Sequence, residues 1–367
     1  MDQRKIKTEL VSFLGFGCMR FPVLENGRID RRLAGEMLDH AYEQGVTYYD
    51  TAYLYHDGES EEFLGEWLKT KDRNSVLVAT KLPMWNLTTT EDAERIFAEQ
   101  LDKLQLDYVD FYLLHSLDRK KWDKARALAV LSFLDRQKAA GKVRYCGFSF
   151  HDDYAVFKEI IEAYPWDFTQ IQINYMDGEV QAGLQGLKLA RDLDIPVIVM
   201  EPVKGGLLAD LPPKEKEMLD TTYSAAAMAL RWVGSLDGVN LILSGMSTLD
   251  QLQDNLNVFS DFVPCTAEEK EKITAVAISL NEKVLVPCSS CNYCQPCPFD
   301  VDIPGCFKYL NIAERYENDK LARRNYEFNV AEHKAGNCCE CLACLEKCPQ
   351  NINIPEMLKI VAERLED

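Results

Sequence analysis

Residues 50–55 read DTAYLY, and the fold depends on what lies on either side of them. Upstream, residues 46–49 (VTYY) have the β-branched and aromatic content of a short strand. Downstream, the polar turn Tyr55, His56, Asp57, Gly58 leads into an acidic segment of helical period. Asp50 and Tyr55 therefore lie where a strand ends and the chain turns toward a helix. In a barrel of alternating parallel strands and helices, that end of the strands is the mouth at which active sites are built. An ordinary strand-to-helix turn also accommodates an Asp and a half-buried Tyr, so the pair carries meaning only in company.

Working outward, apolar β-rich runs recur at 14–19, 46–49, 75–81, 109–115, 144–150, 168–174, 195–201 and 239–245. Helix-period segments such as RRLAGEMLDHAYEQG, ESEEFLGEWLKTKDR and EDAERIFAEQLDKLQ separate them, and Gly45 and Gly141 are placed to end helices. Eight such alternations over roughly 250 residues indicate a (β/α)8 TIM barrel, with a doubly wound sheet as the alternative. The barrel explains more, because it gathers Asp50, Tyr55, Lys81 and His115 at the ends of three successive strands around one mouth. A phenol titrates near ~10 unless a neighbouring cation favours its anion. Lys81 supplies such a cation, Asp50 orients it, and His115 can hydrogen-bond a substrate oxygen or the phenol.

With 367 residues, 47% of them hydrophobic, the chain can bury one large core and carry a satellite domain. The expected division is a barrel over residues 1–275 and a small, mainly α-helical domain over 276–367. Against 41 Lys and Arg stand 59 Asp and Glu, a net charge of −18 that argues against nucleic acid or an anionic membrane surface as a partner. No apolar run is long enough for a membrane span and the N-terminal MDQRKIKTEL has no signal core, so a cytoplasmic protein is expected.

The motifs LGFGCMR, DTAYLY with ESEEFLG, VATK, LDYVDFYLLHS, GKVRYCGFSFH, TQIQINY, MEPVKGGLL and LSGMSTLDQLQDNL together resemble an aldo-keto reductase, over residues from about 10 to 262. The resemblance implies a catalytic tetrad of Asp50, Tyr55, Lys81 and His115, a small carbonyl or alcohol substrate, and NAD(P)H as cofactor. For the cofactor it implies Ser149 and Gln170 at the nicotinamide carboxamide, and Met200 where the family often stacks an aromatic ring. It further implies Gly245, Gln251 and Asn255 in the nucleotide segment. Gly245 and Gln251 put no cation where NADPH-preferring members read the 2′-phosphate. Within STLDQ, Thr248 and Gln251 match a helix capping box, whose helix N-terminus suits either a pyrophosphate or a plain capped surface helix. Loops 84–86 and 116–122 border the mouth, and their Trp85 and Trp122 suit either an apolar pocket wall or packing.

Of the 13 cysteines, eight form two tight runs near the C-terminus. Cys338, Cys341, Cys344 and Cys348 have the C-x2-C-x2-C-x3-C-P spacing of bacterial-type iron-sulfur ligation, and Cys288, Cys291, Cys294 and Cys297 form a run one residue shorter. CPFDVDIPGCFKYL from Cys297 repeats as CPQNINIPEMLKIV from Cys348, so each run opens onto a similar helix. The module resembles two-cluster helical ferredoxin domains. In such sites the last cysteine of each run serves the other cluster. The expected sets are Cys288, Cys291, Cys294 and Cys348 for one 4Fe-4S cluster, and Cys338, Cys341, Cys344 and Cys297 for the other. Zinc is the alternative metal. Cys18, Cys146, Cys265, Cys306 and Cys339 are expected to be apolar filler. The reading is a nicotinamide-dependent oxidoreductase interconverting a carbonyl and an alcohol, with clusters that brace the fold or exchange electrons with an external electron-transfer protein. A redox-sensing or electron-transfer subunit whose barrel only binds the nucleotide is the alternative.

Overall fold

Tyr48, Tyr49, Val78, Phe111, Tyr112, Val197 and Val199 are almost wholly buried, which is what near-continuous apolar strands covered on both faces require. The computed structural model describes residues 1–366. Two N-terminal strands, β1 (Gln3–Ile6) and β2 (Glu9–Ser12), form an antiparallel hairpin. Eight further strands close a parallel barrel in chain order: β3 (Leu14–Gly17), β4 (Tyr48–Asp50), β5 (Leu77–Leu82), β6 (Val109–Leu117), β7 (Val143–Phe150), β8 (Phe168–Gln172), β9 (Val197–Met200) and β10 (Val239–Ser244). Closure is made by β10 on β3, with Ile242 opposite Leu14 and Ser244 opposite Phe16. All eight expected runs are strands of this barrel, and the doubly wound alternative is excluded.

The hairpin was not anticipated from the sequence, and it shuts one end of the barrel. Its Ile6 and Val11 are fully buried in one cluster with Tyr48, Leu77, Phe111, Phe168, Ile198 and Leu241. Chemistry is thereby confined to the opposite mouth, at the C-terminal strand ends.

The chain divides into two compact units. The first comprises residues 1–205 and 226–266; the second comprises 206–225 and everything from Ala267 onward. This differs from a cut between 275 and 276. The helix Ala267–Glu282 and the inserted helix Pro213–Leu219 belong together, because fully buried Glu215 accepts hydrogen bonds from Ser279 Oγ at 2.8 Å and Lys283 Nζ at 2.9 Å.

In the second unit, the helices Ile303–Tyr316, Asp319–Val330 and Ile354–Leu365 enclose a core that includes Phe307, Leu310, Tyr326, Leu358 and Val361. The sequence repeat is a structural one. Both Ile-Pro helices begin after a residue of the same backbone geometry, Asp302 at φ −78°, ψ 78° and Asn353 at φ −73°, ψ 78°. Among the described residues no helix is long and apolar enough to cross a membrane.

Candidate active site and cysteine clefts

Lys81 is the last residue but one of β5, at the barrel mouth, and is completely buried. Its ammonium donates to Asp50 Oδ1 at 2.6 Å, to the Thr51 carbonyl at 2.6 Å and to the Tyr55 hydroxyl at 3.3 Å. All three of its protons are thus placed. Tyr55 is presented by a turn in which His56, Asp57 and Gly58 successively take positive φ, an arrangement costing roughly 1–2 kcal/mol for each non-glycine residue. The His115 ring stands edge-on to Tyr55 with centroids 6.1 Å apart, and the half-exposed Trp85 ring lies 4.9 Å from His115. The four expected catalytic residues are therefore assembled at one mouth.

Electrostatics assign their protonation states. Burial alone would pull the Lys81 ammonium down, but Asp50 and Tyr55 hold it above its usual value, so it stays charged. Burial pushes the Asp50 carboxyl up, and Lys81 opposes it. Desolvation, assisted by Lys81, His151 and Lys121, holds His115 well below the usual imidazole range, so the ring is neutral near pH 7. Tyr55 departs from the sequence expectation. Lys81 does pull its pKa down, but burial outweighs that pull and leaves the phenol above its ordinary value, hence fully protonated.

The expected cofactor residues lie on the same rim. Ser149, Gln170 and Met200 come from neighbouring strands, with Ser149 opposite Gln170 across β7 and β8. Ser149 Oγ accepts from the Ser116 amide at 2.7 Å. Gln170 Nε2 contacts Met200 Sδ at 3.5 Å, while its buried Oε1 has no protein partner. An orphaned buried amide oxygen beside a thioether suits the carboxamide and ring of a nicotinamide. Asn255 is buried and donates to Ser244 Oγ at 2.7 Å. Thr248 caps the helix Leu249–Ser260 by accepting from the Gln251 amide, but Gln251 Oε1 reaches the Ser247 amide, so the reciprocal bond falls one residue outside a standard capping box. Gly245 is overlaid by Arg20, whose Cγ would lie 2.7 Å from a Cβ at that position.

Sequence reasoning missed the support behind Lys81. Glu61 is fully buried and accepts from Thr80 Oγ1 at 2.6 Å and Gln100 Nε2 at 2.7 Å, and Gln100 Nε2 also reaches the Lys81 carbonyl at 3.0 Å. Burial raises the Glu61 pKa. A signal was present in Gly65, one helical turn further on. A Cβ there would meet the Lys103 carbonyl at 2.5 Å, so this helix face must lie against the next helix and carry Glu61 inside. Of the two loop tryptophans, Trp85 is at the mouth, whereas Trp122 is buried packing whose Nε1 donates to Glu159.

None of the 13 cysteines is paired in a disulfide. Cys18, Cys146, Cys265 and Cys306 are buried, as filler should be; Cys339 is exposed, which corrects its expected role. The eight clustered cysteines border two clefts. One is lined by Cys288, Cys291, Cys294 and Cys348; the other is lined by Cys297, Cys338, Cys341 and Cys344, with Cys294 and Cys339 also at its wall. Among the described residues no three His, Cys, Asp or Glu side chains converge closely enough to hold a single metal ion.

Residues 13–278 match the sequence profile of the Aldo/keto reductase family. The uncharacterized oxidoreductase YrpG of Bacillus subtilis is 27% identical over 321 residues, covering 75% of this chain and 90% of its own length. The NADH-specific methylglyoxal reductase of Escherichia coli is 27% identical over 280 residues, 63% of this chain and 84% of its own length. Among solved structures, the holo form of aldo-keto reductase AKR11C1 from Bacillus halodurans superimposes with a TM-score of 0.64 at 27% identity, covering 75% of this chain and 96% of that one.

Proposed function

Because the chain belongs to the aldo/keto reductase family, an NAD(P)H-dependent oxidoreductase family, we propose that it interconverts a small carbonyl compound and its alcohol, with Tyr55 as the proton donor. The observation that carries this reading is the buried Lys81 ammonium bonded at once to Asp50 and to the Tyr55 hydroxyl. A reduced nicotinamide, when bound, would supply a hydride for the carbonyl carbon. Tyr55 delivers the proton to the oxygen, and Lys81 stabilises the phenolate left behind. Neutral His115, across the gap from Tyr55, donates a hydrogen bond that orients the oxygen. Ser149, Gln170 and Met200 would hold the nicotinamide, and Gly245, Gln251 and Asn255 the nucleotide end.

The second unit, in the same proposal, carries two 4Fe-4S clusters on the crossed cysteine sets. Support comes from the two clefts: each is lined by the four cysteines that the spacing rule groups together, including the single crossed cysteine, Cys348 or Cys297. When bound, such clusters carry electrons singly and would serve an external electron-transfer protein. The test is anaerobically purified protein, assayed for iron and for turnover of a panel of aldehydes and ketones with NADH and with NADPH. Reduction of at least one carbonyl, with about eight irons per chain, is expected. A colourless protein containing about two zinc ions would overturn the cluster assignment, and the absence of turnover on every carbonyl would overturn the enzymatic one.

A further inference from the structure

We propose that Lys124 is a positioning residue that sets substrate affinity by clamping the loop carrying Trp85 over the catalytic histidine. It rests on the carbonyl-reductase reading above and assigns a role to a residue outside the tetrad. After β5 the chain passes through Pro83 into a single tight turn, Met84–Asn86, whose Trp85 ring lies 4.9 Å from His115 and is 41% exposed. An indole at that place forms one wall of the space into which a carbonyl substrate must enter to reach Tyr55. Met84 and Leu87 on either side are fully buried and the Asn86 amide donates to the Pro83 carbonyl, but a turn this short leaves the carbonyls of Met84, Trp85 and Leu87 without intrahelical partners.

Those carbonyls are taken by one cation. Lys124 Nζ donates to Leu87 O at 2.7 Å and Met84 O at 3.2 Å, with Trp85 O a longer contact at 3.4 Å. An ammonium has three protons, and here all three are directed at backbone oxygens of one loop, those of Met84, Trp85 and Leu87. The helix that supplies it, Arg119–Ala127, is anchored independently: Asp118 caps it by accepting from the Lys121 amide, and Trp122 and Ala125 are buried. Removing the ammonium should therefore loosen the exposed part of the loop, Trp85 and Asn86, while buried Met84 and Leu87 and the helix stay in place.

The consequence is a split in kinetic constants. The tetrad does not touch Lys124, so the chemical step is preserved. A loosened Trp85 must be ordered again each time substrate binds, and that ordering appears in KM. The experiment is steady-state reduction of 4-nitrobenzaldehyde and of methylglyoxal with NADH by wild-type full-length protein, Lys124→Met, Trp85→Ala and the double variant. Lys124→Met should raise KM about 3- to 10-fold with kcat within about twofold. In the Trp85→Ala background the same substitution should shift KM by less than about twofold, since the residue it acts through is gone. Lys124→Arg, which keeps several donors, should recover most of the affinity, and it carries the comparison if Lys124→Met does not fold. An unchanged KM in Lys124→Met, an equal fall of kcat and kcat/KM, or a full effect in the Trp85→Ala background would each overturn the clamp. Wild-type protein that reduces neither probe would overturn the carbonyl-reductase reading for these substrate classes and the clamp with it.

Discussion

Removing the charge of Lys81 should unsettle the barrel as well as its chemistry, because the ammonium and its partner Asp50 are 1% and 4% exposed as side chains. Lys81→Met leaves the Asp50 carboxylate buried opposite an apolar chain, and breaking a buried pair from one side costs about 3–5 kcal/mol. Asp50→Asn does the reverse and leaves a buried ammonium. The double variant removes both charges and should be more stable than the sum of the singles by about 2 kcal/mol or more. The readout is selective. All five tryptophans, Trp67, Trp85, Trp122, Trp166 and Trp232, belong to the unit formed by residues 1–205 and 226–266, so urea titration followed by tryptophan fluorescence reports that unit. With m about 3 kcal/mol/M, Lys81→Met should lower the midpoint by about 1–1.7 M. Single variants that lose under about 0.5 kcal/mol, or losses that simply add, would refute the buried-pair argument.

Three further outcomes follow from the site. Since burial holds Tyr55 above its ordinary value and the reduction needs the protonated phenol, kcat for carbonyl reduction should stay level from pH 7 to about 9 and fall only above about 10. A fall centred near pH 7 would assign the acid elsewhere, and a loss below pH 7 would contradict the neutral His115. NADH should be used at least as well as NADPH, because Gly245 and Gln251 bring no cation and Gln251 spends its side chain on the Ser247 amide. A tenfold preference for NADPH in kcat/KM would instead identify Arg20, whose stem covers Gly245, as the reader of the 2′-phosphate. Cys297→Ala and Cys348→Ala should each lose about half the iron, and each should spare the cluster held mainly by its own run. Loss confined to the mutated residue's own run, seen by paramagnetic resonance, would contradict the crossed sets.

How much of this was legible in the sequence depends on how local the signal was. Each barrel strand announces itself, because a strand covered on both faces must be a run of apolar and β-branched residues, as in 109–115 and 195–201. Asp50, Tyr55, Lys81 and His115 were legible because chemistry-bearing residues at strand ends share one mouth once the barrel is assumed. The hairpin β1–β2 was not. QRKI and ELVS are short and largely polar, and they hold by closing the barrel floor, a partnership distant in sequence. The pairing of helix Pro213–Leu219 with helix Ala267–Glu282 was hidden for the same reason: Glu215 sits in an ordinary charged helix until Ser279 and Lys283, more than 60 residues later, are placed beside it. The sign of the Tyr55 shift depended on burial, which no motif reports, and Cys339 was misjudged because its neighbours in the run are ligand candidates whose loop faces outward.

The most direct measurement is the turnover of Tyr55→Phe. The substitution removes one hydroxyl and keeps the ring that stands edge-on to His115 and beneath the Lys81 ammonium, which lies 4.7 Å from its centroid. If Tyr55 is the proton donor, kcat/KM for carbonyl reduction should fall by about 10²- to 10⁴-fold, while the dissociation constant for NADH, followed by fluorescence, stays within about twofold. A Tyr55→Phe protein that keeps more than about a tenth of wild-type kcat/KM would show that the proton comes from another group.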